Sequence, residues 1–224
     1  MRSVLCLLLL FSINVAVAQT RLIVSGGYSL ATFNAYNQSG SPYYWNDYSS
    51  AYASGWKVGA LCQLPIDSKF FHEYGIQVKS IGTTLYYPHD NEKRKIQIIY
   101  LNLPANIGYK WNFTNHLKGF AGTGVYLAYG VWGKETGKGI INNGPYIIDD
   151  RVLFKNRNPS QVTPTNINPF DYGLNLFMGV DSKRVQVSCE FNRGFRSAVT
   201  NPGLYGQRFR NQSFSINAGY TLNR

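Results

Sequence analysis

Eight runs of this chain alternate apolar and polar residues at period two, and the connections between them alternate between short and long. The run YLNLPANIGYKW, Tyr100 to Trp111, is typical. Leu101, Leu103, Ala105, Ile107, Tyr109 and Trp111 share one parity, and Asn102, Pro104, Asn106, Gly108 and Lys110 share the other. Such alternation makes a β-strand with one apolar and one polar face. The runs are Leu22–Phe33, Gly55–Leu64, Phe71–Tyr87, Ile96–Trp111, Leu117–Trp132, Asp171–Asp181, Arg184–Phe195 and Arg208–Leu222. Most hold about ten alternating residues, the length a tilted strand needs to cross a bilayer.

The connections orient the runs. Pro65–Lys69, Asn112–His116 and Ser182-Lys183 are short; Tyr36–Ser54, Pro88–Lys95, Gly133–Phe170 and Arg196–Gln207 are long and polar. This predicts an all-β, eight-stranded antiparallel up-and-down transmembrane barrel, with short periplasmic turns and long extracellular loops. One parity is apolar and nearly charge-free: Trp56, Val58, Ala60, Cys62 and Leu64, or Leu174, Leu176, Met178 and Val180. Aromatics gather near its ends (Trp56, Tyr74, Tyr109, Trp111, Tyr172, Tyr220), as interfacial girdles do. That face is assigned to lipid. The other parity carries Lys57, Gln63, Glu73, Gln77, Lys79, Asn102, Asn106, Lys110, Asn175, Gln186, Glu190 and Asn192. Eight strands enclose a lumen just wide enough for side chains, so these groups must satisfy one another. Glu73 and Glu190 are expected to pair with cations such as Lys57 and Lys79. Pro104, inward by parity, is expected to mark a bulge.

At the N-terminus, Arg2, the apolar run Val4–Ile13 and Ala16-Val17-Ala18 form a signal-peptide pattern with cleavage before Gln19. The domains read from the sequence are a signal peptide, 1–18, and a barrel, 19–224. Removing the signal takes Arg2 with it, so the formal charge of +11 becomes +11 − 1 = +10. That balance favours an anionic partner or surface. Basic-aromatic interleaving of the kind that binds nucleic acid is absent, and no nucleic-acid partner is expected. Cys62 and Cys189 have apolar parity and read as small apolar residues rather than a disulfide framework.

Four stretches, YLNLPANIGYKW, LKGFAGTGVYLAYG, NPFDYGLNLFMGVDSKRVQVSCEFNRGF and SFSINAGYTL, together resemble the PorT-like outer-membrane β-barrel family of Bacteroidetes. In that family a Y-L-x-x-P strand precedes a glycine-rich strand, a D-x-G-x-x-x-G-x-G-V hairpin follows, and a last strand ends in G-Y. Asp171, Gly173 and Gly179 keep the hairpin pattern, with Phe177 where glycine is common. The resemblance implies a barrel and an outer-membrane location. It includes a secretion-associated member and implies no reaction.

No motif for chemistry stands out, and no cofactor or metal is expected. GKETGKG, Gly133–Gly139, lacks the Ser/Thr of a phosphate loop and precedes no helix, so it reads as loop. His72, His89 and His116 show no metal-ligand spacing. A membrane-embedded lipid-modifying enzyme needs a Ser/His/acid cluster at one rim, and Ser80 with His89 is the nearest pair. A soluble lipocalin-like barrel would turn its apolar parity inward. The leading expectation is a non-enzymatic outer-membrane barrel with a structural, adhesive or secretion-accessory role. Two recognition surfaces are expected outside. Tyr43, Tyr44, Trp45 and Tyr48 form an aromatic loop suited to a sugar or protein partner. Arg193, Arg208 and Arg210 continue the lipid-facing parity at the outer ends of the last two strands, at the height of lipopolysaccharide phosphates. An Asn143-Gly144 hairpin is expected within the longest connection.

Overall fold

A computed structural model describes residues 20–37, 49–87, 92–141, 144–154, 166–198 and 207–222. The segment read as a signal peptide, 1–18, and the aromatic loop residues Tyr43, Tyr44, Trp45 and Tyr48 lie outside them. The strands are β1 (Arg21–Asn37), β2 (Ser49–Pro65), β3 (Phe70–Tyr87), β4 (Glu92–Asn112), β5 (Leu117–Ile141), β6 (Gly144–Arg151), β7 (Leu153–Phe154), β8 (Asn166–Ile167), β9 (Phe170–Ser182), β10 (Val185–Ser197) and β11 (Gln207–Thr221).

Eight of them form a closed antiparallel ring in the order β1, β2, β3, β4, β5, β9, β10, β11, and back to β1. The closing seam runs from Ile23 opposite Thr221 to Asn37 opposite Gln207. Closure leaves no ring strand with a free edge across the membrane. Every short turn sits at one end, with Arg21 and Thr221. Two of these turns are built by side chains: Asp67 accepts from the backbone N–H groups of Lys69 and Phe70 (2.6 and 2.7 Å), and Thr114 from those of His116 and Leu117 (3.2 and 3.0 Å). The third is the two-residue Lys183-Arg184 link, with Lys183 at φ 52°.

The outside is apolar. Leu103, Ile107, Val125, Leu127, Leu174, Leu176, Met178, Val187 and Ile216 are 43–61 % exposed and form a continuous belt. Water would not tolerate a patch of that extent, and the polar parity is buried inside. This arrangement rejects the lipocalin-like alternative. Aromatic contacts bound the belt. Phe70, Tyr109, Trp111 and Phe113 pack in series at the short-turn end (5.0, 6.3 and 5.8 Å between centroids). Tyr129 with Phe170 (4.9 Å) and Tyr172 with Phe195 (6.3 Å) lie at the other end. Tyr172 to Val180 covers ~26 Å along a strand, or ~20 Å of depth at a tilt of ~40°, close to the ~25 Å apolar band of such barrels.

Three local expectations are corrected. Pro104 makes no bulge: the β3–β4 ladder skips from Tyr74 opposite Ala105 to Gln77 opposite Asn102 with its register intact. The irregularity lies farther toward the outer end, where Ile99 faces Trp132 and Tyr100 faces Gly130, leaving Val131 as the extra residue of β5. Gly133–Gly139 is strand, not loop, because β5 continues to Ile141 and pairs with both β4 and β6. The expected hairpin forms with Ile141 opposite Gly144, so Gly144 opens β6 rather than belonging to the turn. The Val131 insertion reverses parity: Tyr126, Ala128 and Gly130 point inward below it, and Gly133, Glu135 and Gly137 above it.

Candidate functional site

Inside the ring the side chains form layers. At the short-turn mouth, Arg21 forms an ion pair with Asp181 and donates from Nη2 to Thr221 Oγ1 at 3.0 Å. Lys110 donates to Gln63, with its ammonium 4.0 Å from Asp181 and 4.7 Å from the Phe71 ring centroid. An open cleft of about 370 Å³ lies at this mouth, lined by Arg21, Asn115, His116, Lys118, Asp181, Lys183 and Thr221.

Above the mouth pack Phe71, Phe120 and Phe177. Each faces a glycine on the adjoining strand: Phe71 opposite Gly108, Phe120 opposite Gly179, and Phe177 opposite Gly122. A Cβ on any of these glycines would collide with the ring that lies over it. The aromatic plug therefore requires all three glycines.

The polar layer follows. Lys57 and Glu190 form a buried ion pair, and Asn192 Nδ2 donates to Glu190 Oε1 at 2.8 Å. Glu73 differs from the expectation of a cationic partner: it accepts from the amides of Gln63 and Asn106, both at 3.1 Å. These amides sit directly opposite it in register, closer than any lysine. Asn175 donates to Asn106 (3.1 Å) and Asn102 to Gln77 (2.9 Å). Asp171 accepts from Tyr126 Oη (3.0 Å) and Asn211 Nδ2 (2.8 Å). Lys79 makes no hydrogen bond among the described residues; its ammonium rests 4.3 Å from the Tyr126 ring centroid, a cation–π contact. Among the described residues the lumen up to this level balances Arg21, Lys57, Lys79 and Lys110 against Glu73, Asp171, Asp181 and Glu190. The remaining cations among the described residues therefore lie outside this part of the lumen. A cavity of about 20 Å³ beside Lys57, Glu73, Gln186 and Glu190 has room for one water.

The uppermost layer is apolar. Phe33, Ile81, Leu85, Ile96, Ile98 and Tyr100 pack there against Val152, Ile167 and Ala198, which come from the long connections. Backbone bonds fix those connections: Gly130 N–H to Pro169 O (2.7 Å), Val152 N–H to Gly133 O (3.0 Å) and Asn168 N–H to Ala198 O (2.7 Å). Parity alone marked the inward face as polar throughout and missed this core. It also missed the phenylalanine plug, although an inward aromatic opposite a glycine is a usable signal.

Arg193 and Arg210 line one depression with Asn34, Asn211 and Gln212. Arg193 stands opposite Leu174, inside the Tyr172–Phe195 pair rather than above the apolar belt as its parity reading expected, so its side chain must reach outward to meet phosphates. Arg208 pairs with Tyr36 through the backbone, and its side chain lies outside the described residues. Ser80, a candidate nucleophile, is buried and accepts from Gln97 Nε2 at 3.1 Å; His89 lies outside the described residues. Among the described residues no group of three or more His, Cys, Asp or Glu side chains could hold a metal ion. Cys62 and Cys189 are free thiols on β2 and β10, separated in the ring by β1 and β11.

The model of the outer membrane protein beta-barrel domain family matches residues 17–199. The chain belongs to that family. The barrel is an outer-membrane protein, and the family match stops short of its closing strand β11. No curated protein matches it by sequence. Similar solved structures include OprG from Pseudomonas aeruginosa (12 % identity, TM-score 0.49, covering 91 % of this chain and 96 % of that one). Neisserial surface protein A is another (12 %, TM-score 0.41, 90 % and 97 %). Ail of Yersinia pestis, solved in complex with the heparin analogue sucrose octasulfate, is a third (10 %, TM-score 0.39, 91 % and 99 %). Each is a likeness of chain path at an identity too low to carry a role across.

Proposed function

We propose that this barrel is a non-conducting, non-enzymatic outer-membrane protein with a structural, adhesive or secretion-accessory role performed at its rims. The observation that carries this reading is the lumen, filled in turn by a phenylalanine plug, a paired polar layer and an apolar core. Among the described residues such layers leave little room for a water path, and Ser80 is buried with Gln97 donating to its hydroxyl. The resemblance to PorT-like barrels favours the secretion-accessory role within this set. Export by a leader cleaved before Gln19 belongs to the same reading. In planar bilayers the purified barrel is expected to add no conductance steps; discrete steps from the folded form would overturn the closed lumen.

At the outer rim, Arg193, Arg208 and Arg210 contact phosphates of lipopolysaccharide, a reading supported by the depression that Arg193 and Arg210 share. Replacing all three with Gln is expected to lower lipopolysaccharide co-purification while heat-modifiable migration persists. Unchanged retention would remove this contact.

A further inference from the structure

The sheet does not end where the apolar belt ends. β3, β4 and β5 run on past the Ile99–Trp132 row, and β6 joins them as a fourth strand. Their registers define three outward rows. The farthest is Tyr86, Lys93, Lys138, Ile147; the next is Thr84, Lys95, Thr136, Asp149; the nearest is Gly82, Gln97, Lys134, Arg151. On β4 and β5 exposure alternates accordingly, with Ile96, Ile98, Gly133, Glu135 and Gly137 buried on the opposite face, while Gly82 on β3 is buried.

These rows hold five cations and one acid, Asp149, which Lys134 engages at 2.8 Å. Lys93 and Lys138 stand directly opposite one another. Like charges so placed destabilise a sheet, with Cβ atoms ~5 Å apart. Lysines often guard exposed strand edges against unwanted pairing. That explanation fails here: β4 and β5 are interior strands of this extension, and the edge belongs to β6. Among the described residues no acid side chain stands in that row, and facing lysines so placed call for an anion.

Position narrows the anion. Lys134 is two residues beyond Trp132 and Lys138 six, which is ~7 to ~20 Å along the strand at ~3.3 Å per residue. With the tilt of a barrel strand this spans ~5 to ~15 Å above the aromatic girdle, the depth of a phosphorylated saccharide headgroup layer. The row faces sideways over the membrane, toward the lipid headgroups beside the barrel. We infer that Lys93, Lys95, Lys138 and Arg151 form a second contact surface for the phosphates of outer-leaflet lipopolysaccharide. It lies on the β4–β5 side of the ring, away from the β10–β11 arginines, and shares with the reading above only the outward orientation of the long connections.

The test compares purified full-length barrel with the variant Lys93→Gln/Lys95→Gln/Lys138→Gln in binding to lipopolysaccharide micelles at low salt. A control variant, Lys69→Gln/Lys118→Gln/Lys183→Gln, removes the same charge from the opposite rim. Three exposed charge contacts, each contributing a few-fold, predict a loss of about tenfold for the first variant and little for the control. Dephosphorylated lipopolysaccharide should bind the unaltered barrel about as weakly as it binds the first variant. Equal losses in the two variants, or full binding of dephosphorylated lipid, would overturn the assignment. So would soluble dextran sulfate binding as tightly as the lipid, because the source would then be a free polyanion. Orientation is read separately: Lys138→Cys should react with an impermeant maleimide on intact cells, and protection there would reject the orientation rather than the charge argument.

Discussion

The middle of the lumen and its outer end use the same inward parity for opposite chemistries. Around Glu190 the inward residues are Lys57, Asn192, Gln77 and Asn102; around Ile98 they are Phe33, Ile81, Ile96 and Tyr100. The outward residues change at the same height, from Val125, Leu127 and Tyr129 to Lys134, Thr136 and Lys138 on β5. The surrounding solvent explains both changes. Within the bilayer the outer face already meets an apolar medium, so the polar parity is enclosed and must be paired internally. Beyond the bilayer the outer face meets water, and the extension needs an ordinary hydrophobic core. One sheet crosses the boundary and inverts its inside-out rule there. On β5 the Val131 bulge lies at the crossing.

The sharpest way to break this contrast is to put the wrong chemistry in the middle layer. Glu190→Leu leaves Lys57 buried without its acceptor and is expected to cost ~3–5 kcal/mol. Glu190→Gln, which keeps an oxygen for Lys57 and Asn192, should cost clearly less. Urea unfolding in lipid vesicles measures both. Equal loss in the two variants would mean that pairing does not hold this layer together.

The outer layer predicts a different asymmetry. Ile98→Ala opens a void in a water-bounded core and is expected to cost ~2–4 kcal/mol. Leu174→Ala, on the lipid face, should cost under ~1 kcal/mol, because acyl chains close over the missing atoms. Similar losses would deny that the extension has a core of its own.

A smaller effect concerns Glu135, fully buried in the extension with Arg94 Nη1 at 3.3 Å. Burial is the main cause that raises its carboxyl above the usual range, and Arg94 offsets this only in part. A raised folded-state pKa gives a stabilisation that is full below the unfolded value, ~4.3, and lost as pH rises through the folded one. Protection of the β5–β6 extension from proteolysis should therefore weaken as pH rises through that window, and Glu135→Gln should flatten the dependence. An identical profile in the variant would assign the titration elsewhere.

The strands were legible because alternation and loop length both depend directly on residue order. All eight ring strands appear where the pattern sets them, extended mostly at their outer ends. The inversion beyond the bilayer was not legible. Ile96 and Ile98 keep period two with Lys95 and Gln97, and alternation does not say which solvent each face meets. The parity reversal at Val131 further hid the extension inside an apparent loop. The partners of Glu73 depend on register, and only the ladders bring Gln63 and Asn106, rather than a lysine, opposite it. The phenylalanine–glycine pairs depend on register in the same way.

The seam between β1 and β11 governs how the molecule is assembled. It joins Ile23 to Thr221, so the contact that removes the last free edges is also the one most distant along the chain. Before it forms, β1 and β11 each present an open row of backbone donors and acceptors, which hydrocarbon cannot satisfy. A half-built ring is therefore no resting state in the bilayer. Until the seam closes, something other than lipid must cover both edges, and release into the membrane waits on the final strand.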